Sequence, residues 1–145
     1  MTLSNEQAMK RAIIIDRYEN PVNKVDEKFD HSKYKKFNNK SDSCIDNITV
    51  YLLIENAKII DAKFSGIGCA ISTSSSDIFC DLIKEKPLDE VELILDEYLK
   101  MIGSDEFDKE LIGDLIVFEN ISKQINRVKC SLVGHGAIKE ILKLE

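Results

Sequence analysis

Apolar and polar residues alternate most clearly at Ile48, Val50, Leu52 and Ile54, and again at Ala62 and Phe64 among Asp61, Lys63 and Ser65. A period of two predicts strands with one face turned to a core. Glu55-Asn56 lies between the two runs at hairpin distance, and a shorter strand is expected near residues 34–37, completing an antiparallel meander. Elsewhere the period is helical. Ser4 and Gln7 form a capping box ahead of a helix with Ala8, Ala12, Ile15 and Tyr18 on one face, ended by Pro21. Gly66-Ile67-Gly68 breaks the last strand and delivers Cys69 to a helix whose expected buried face is Ile71, Ser75, Ile78, Phe79, Leu82 and Ile83.

Pro87 opens a further helix with Val91, Ile94, Leu95, Tyr98, Leu99 and Ile102 inward, closed by Gly103. An acidic connection over 104–113 leads to a short helical stretch from Asp114 to about Lys123. Asn126 is the expected cap of a last helix carrying Leu132, Ala137, Ile138, Ile141 and Leu142. Strands first and helices after predict an α+β fold, a small antiparallel three-stranded sheet with helices packed on it. With no internal repeat or linker, residues 1–145 read as a single domain.

Composition narrows the function classes. A hydrophobic share of 43% is enough for a core, so a bound ion would add to folding and not replace it. The net charge of −6 and the lack of a basic stripe argue against nucleic acid. No apolar run reaches about 18 residues and no signal-peptide layout opens the chain, so a cytoplasmic protein with no membrane partner is expected. In a reducing compartment four cysteines are expected to be buried thiols, metal ligands or reactive groups, not disulfides. Among twenty basic residues only Arg11, Arg17 and Arg127 are arginines, which suggests a geometric need at each.

Three cysteines lie at element boundaries, and one brings a carboxylate: Cys44-Ile45-Asp46, Gly68-Cys69 and Arg127-Val128-Lys129-Cys130. Spacing by two in an extended segment puts Cys44 and Asp46 on one side of the chain. The glycines before Cys69 let backbone pass close to an ion, and Cys130 is expected in the first turn of the last helix, where the dipole favours a thiolate. Arg127 sits one turn before Cys130 and can offset the excess negative charge of three thiolates and a carboxylate. Such a set suits a soft divalent ion. Taken singly, each cysteine is as readily a small buried hydrophobe, and ligands 25 and 61 residues apart match no short zinc motif. Metal binding and simple burial both stay open on chemistry alone. Cys80 is eleven residues past Cys69, about 16 Å along a helix, and cannot share an ion with it. His31 is expected in solvent, and His135 turns away from Cys130 around its helix.

With these residues in view, the chain resembles the U-type iron–sulfur assembly proteins, the family of IscU, SufU and the N-terminal part of NifU. The resemblance runs over nearly the whole chain: Arg11 to Pro21 with its Tyr18-x-Asn20-Pro21 ending, Cys44-x-Asp46, Gly66-x-Gly68-Cys69-Ala70-Ile71-Ser72 and Arg127-x-Lys129-Cys130. The long stretch between Cys69 and Cys130, and Lys129 where the IscU branch places histidine, make it most similar to SufU. Two departures stand out: Ile45 replaces the usual glycine, and no proline shortly precedes the last motif.

The resemblance implies a SufU/IscU-like fold and a metal site of Cys44, Asp46, Cys69 and Cys130 holding zinc, or alternatively an iron–sulfur cluster. It implies a zinc-dependent sulfur acceptor that takes persulfide sulfur from a SufS-like cysteine desulfurase, with Cys44 as acceptor and Arg127 balancing charge. The alternative is a scaffold on which a [2Fe–2S] cluster forms and passes to apo-proteins. A structural zinc domain is a third reading, against which Asp46 argues, since purely structural sites favour Cys and His.

Overall fold

The computed structural model describes residues 4–41 and 45–145. Its sheet has three antiparallel strands, β1 (Lys35–Lys40), β2 (Asn47–Glu55) and β3 (Lys58–Ile67), in that spatial order. The described residues also form six helices: α1 (Asn5–Glu19), α2 (Ala70–Ile83), α3 (Leu88–Ile102), α4 (Lys109–Ile112), α5 (Ile125–Ser131) and α6 (Val133–Lys143). Two 3-10 turns, Gly113–Phe118 and Ile121–Lys123, link α4 to α5. The α+β expectation holds, and among the described residues no helix is long and apolar enough to cross a membrane.

The period of two in β2 does what it predicts, burying Ile48, Val50 and Leu52 on one face. In β3 the buried residues are Ile59, Ala62 and Phe64, an uneven spacing. A bulge resolves it: Leu53 pairs with Asp61 but Ile54 with Ile59, so Ile60 is the extra residue. The hairpin turn is Asn56-Ala57, one residue later than expected, with both at positive φ (53° and 58°). Helices α2 and α6 cover the core face, with α6 against β1 and β2 and α2 against β3.

α2 is the hub of the molecule, and the run from Ser72 to Cys80 is buried throughout. Its small hydroxyl side chains let neighbours approach closely; a Cβ on Gly134 of α6 would lie 2.5 Å from Ser76 Oγ. The N-terminal capping box of α1 is present, with Ser4 and Gln7 bonding each other reciprocally. The apolar face expected there points outward, however: Ala8, Ala12, Ile15 and Tyr18 are all exposed, while Ile13 and Ile14 pack on the core. An ion pair sets this rotation. Arg17 Nη1 donates to Asp77 Oδ2 (2.7 Å) and Asp81 Oδ2 (2.6 Å) on α2, turning that side of α1 inward.

The last helix also differs from expectation. It is two helices, broken at Leu132 (φ −103°, ψ 0°), and Asn126 lies inside α5 where it caps nothing; Gln124 is the N-cap. In α3, Leu99 is exposed and Met101 takes an inward position instead.

Candidate metal centre

Asp46 immediately precedes β2, and its side chain is almost wholly buried (2% exposed). Oδ1 accepts from the Cys69 backbone N–H (2.9 Å) and from the Ser72 hydroxyl (2.8 Å), tying the mouth of β2 to the start of α2. The chain reaches that position because of Gly66 and Gly68. Gly66 has φ +113°, and a Cβ there would meet Asn47 O at 2.1 Å. A Cβ on Gly68 would lie 2.2 Å from Ser72 Oγ and 3.3 Å from Asp46 Oδ1. These glycines admit the backbone between strand, serine and carboxylate, which is more specific than room for an ion.

Cys69 is the N-cap of α2, and its sulfur accepts from Ser72 N–H at 3.4 Å. The positive end of a fourteen-residue helix therefore faces Cys69. Cys130, expected to enjoy that position, sits instead near the C-terminal end of the short α5, just ahead of the break. It is buried, and its thiol points to Asn126 O at 3.9 Å. Tyr98, wholly buried in α3, donates from its hydroxyl to Ser131 O (2.8 Å) and so pins the end of α5 beside Cys130.

The outcome of these contacts is a cluster: one ligand atom from each of Asp46, Cys69 and Cys130 lies within 4.8 Å of the others. Zn–S bonds of about 2.3 Å in a tetrahedron put sulfurs about 3.8 Å apart, so the three donors fit one ion with little adjustment. Two sulfurs and a carboxylate also match the donor preferences of zinc and of iron–sulfur clusters. Cys44, the fourth expected ligand, lies outside the described residues.

Arg127 is exposed on α5 and makes no ion pair with a described residue; it lines a groove with Ala70 and Ile71. Cys80 is fully buried in the core, where burial pushes its thiol far up, and it stands apart from the cluster. His135 is buried too, with Nε2 against Leu95 O (3.1 Å) and its ring stacked on Tyr98. Burial lowers its basicity, as the backbone contact to Leu95 works in the other direction. His31 is half-buried beside Tyr51, more enclosed than the solvated position expected of it.

Ser72 and Tyr98 position the cluster, a role that neither the motif containing Ser72 nor the inward face carrying Tyr98 signals. Ser72 was legible in principle, as a polar side chain at N3 of a helix whose N-cap is a candidate ligand. Tyr98 carried no such mark, because its partner lies 33 residues away.

Residues 9–140 match the family described as NifU-like N terminal domain. A Thermotoga maritima protein named iron-sulfur cluster assembly scaffold protein IscU is 32% identical over 125 residues, 79% of this chain and 88% of that relative. The zinc-dependent sulfurtransferase SufU of Bacillus subtilis is 28% identical over 138 residues, covering 94% and 91%. A crystal structure from Fervidobacterium islandicum, described as a putative iron-sulfur cluster assembly scaffold protein for the SUF system, superposes with a TM-score of 0.78. It is 30% identical and covers 90% of this chain and 93% of its own.

Proposed function

Because the chain belongs to the NifU-like N-terminal domain family, we propose that it is an iron–sulfur assembly protein acting as a zinc-dependent sulfur acceptor for a cysteine desulfurase. The observation that carries this reading is the convergence of Asp46, Cys69 and Cys130 within 4.8 Å, in a family whose Bacillus subtilis member is named a zinc-dependent sulfurtransferase. Asp46, Cys69 and Cys130 would hold the ion, with Cys44, two residues before Asp46 in the sequence, as the fourth ligand and the acceptor. Bound zinc supplies ionisation of its thiol ligands near neutral pH.

The transfer needs no oxidant. The Cys44 thiolate attacks the outer sulfur of the desulfurase persulfide, a new sulfur–sulfur bond forms, and the desulfurase cysteine leaves as a thiolate. Ser72 and the Cys69 N–H hold Asp46 in place, so that Asp46, Cys69 and Cys130 would keep their arrangement when Cys44 acts as the nucleophile. Arg127, one turn before Cys130, adds positive charge at the edge of this anionic set. The action is cytoplasmic, with residues 1–145 working as one domain.

A second reading has a specific support, the Thermotoga maritima relative named a scaffold. On that reading the same ligands receive iron and sulfide as cargo and release a [2Fe–2S] cluster to apo-proteins.

One experiment separates them. Protein purified without added iron is assayed for metal, then mixed with a cysteine desulfurase and cysteine. The acceptor reading expects one zinc per chain and raised desulfurase turnover, abolished by Cys44→Ala. A coloured, transferable cluster after adding iron and sulfide, with no change in turnover, overturns it in favour of the scaffold.

A further inference from the structure

A groove of about 530 Å³ runs between α1, the first turn of α2, the two 3-10 turns and α5, a volume in the range of ligand clefts. Ile14, Ile71, Val117 and Ile121 form its apolar wall. Lys10, also in the groove, is already engaged by Glu6 (3.3 Å) and Glu119. Three other cations line it, Arg11, Lys123 and Arg127, all exposed and none in an ion pair with a described residue.

On a chain of net charge −6, three cations beside one apolar groove, none of them paired with a described residue, reverse the local sign. The arginine usage sharpens the point. Of three arginines, Arg17 is held by Asp77 and Asp81, and the other two both line this groove. A guanidinium presents a planar fork that matches carboxylate geometry, which lysine does not. The groove also adjoins the thiol cluster: Ala70 follows Cys69 directly, and Arg127 lies one turn before Cys130. Ile125, 84% exposed at the start of α5, adds apolar surface on the same helix.

We propose that this groove is the docking site for a segment of the sulfur-donor protein that carries carboxylates beside apolar side chains. This rests on the sulfur-acceptor reading above, and adds to it where the donor is gripped and by what chemistry. Apolar side chains of the segment lie on the isoleucine wall, and its carboxylates meet Arg11, Lys123 and Arg127. A donor seated there is anchored next to Cys69 and Cys130, so its persulfide arrives at the cluster already oriented. Attraction between unlike charges makes the association salt-sensitive.

The test uses the zinc-loaded full chain and the desulfurase, with affinity measured calorimetrically at low and high salt. Arg11→Glu with Lys123→Glu is expected to weaken binding by about tenfold or more at low salt and to flatten its salt dependence. Zinc content is expected to be unchanged, and charge reversal at Lys139 and Lys143 on α6 is expected to leave affinity as it was. Should the double variant misfold, Arg11→Glu alone is read in the same way. If the wild-type chain binds the desulfurase and the groove variant binds within about twofold of it, the groove proposal is overturned while the acceptor reading stands. If the wild-type chain does not bind at all, both fall. If reversal instead changes self-association in the absence of desulfurase, the occupant is a second copy and the donor assignment is wrong.

Discussion

Asp46 has a structural job and a proposed ligand job, which one substitution confounds and two separate. Its Oδ1 accepts from the Cys69 N–H at 2.9 Å and the Ser72 hydroxyl at 2.8 Å, and its carboxylate stands among the cluster's donors. Hydrogen bonds to an ionised group are worth about 1.5–3 kcal/mol each. Two of them, partly offset by the cost of burying the carboxylate, put Asp46→Ala at about 2–4 kcal/mol of destabilisation in metal-free protein. Asp46→Asn keeps a carbonyl oxygen for both donors and is expected within about 1 kcal/mol of wild type, since neutral acceptors are only moderately weaker. Zinc affinity is expected to fall at least about tenfold in both variants, as loss of even an outer-shell partner does that much. Urea unfolding of the metal-free proteins and competition titration of zinc supply the two readouts. An unchanged unfolding midpoint in Asp46→Ala would refute the structural job, and wild-type zinc affinity in Asp46→Asn would refute the ligand job.

Three further outcomes are expected. Asp77→Ala removes a wholly buried carboxylate that also accepts from Asn23 N–H at 2.8 Å; it is expected to cost about 3–5 kcal/mol and to raise hydrogen exchange in α1 selectively. A loss below about 1 kcal/mol, or exchange raised uniformly, would show that the Arg17 clamp does not fix α1. His135, whose basicity burial lowers from its ordinary value, binds fewer protons folded than unfolded, so its contribution is complete above about pH 6.5 and is lost as pH falls below it. With Lys139 pressing the same way and Asp96 opposing, His135→Gln is expected to show a flatter fall in urea stability from pH 7 to 5 than wild type, and equal slopes would refute this. Ala57, at φ 58° in the β2–β3 turn, is strained without glycine's freedom, so Ala57→Gly is expected to gain about 1 kcal/mol in urea unfolding; a loss would mean the turn tolerates alanine.

Where an element is specified by its own neighbours in the chain, the sequence was readable. Ser4 and Gln7 cap α1 because both partners of each bond lie within four residues. Ile48, Val50 and Leu52 face inward because alternation is a property of the strand itself. Long-range contacts decided the rest. Ala8, Ala12, Ile15 and Tyr18 do share a side of α1, but a period of 3.6 fixes which residues share a side, not which side is buried. Arg17, paired with Asp77 sixty residues away, overrules Ile15 and Tyr18, which stay 44% and 45% exposed. The break at Leu132 has no proline to announce it, and beyond it Gly134 packs closely against Ser76 of α2.

The candidate site divides along the same line. Cys-x-Asp, Gly-x-Gly-Cys and the final Cys are local patterns, and they named Asp46, Cys69 and Cys130 before any contact between them was known. Their convergence could not be read from spacing, since it depends on β2 and β3 pairing so that Asn47 stands opposite Ile67. That register brings the residue just before β2 to the residues just after β3, and hence Asp46 to Cys69. Cys130 joins them on α5, whose end Tyr98 holds through the carbonyl of Ser131 and which packs against α2. Two of the candidate ligands therefore depend on sheet register and the third on helix packing. A substitution that shifts only α5, such as Tyr98→Phe, is then expected to weaken zinc binding while leaving the Asp46–Cys69 pair intact. Retention of full zinc affinity in Tyr98→Phe, measured by the same competition titration, would show that α5 is positioned by something other than this bond.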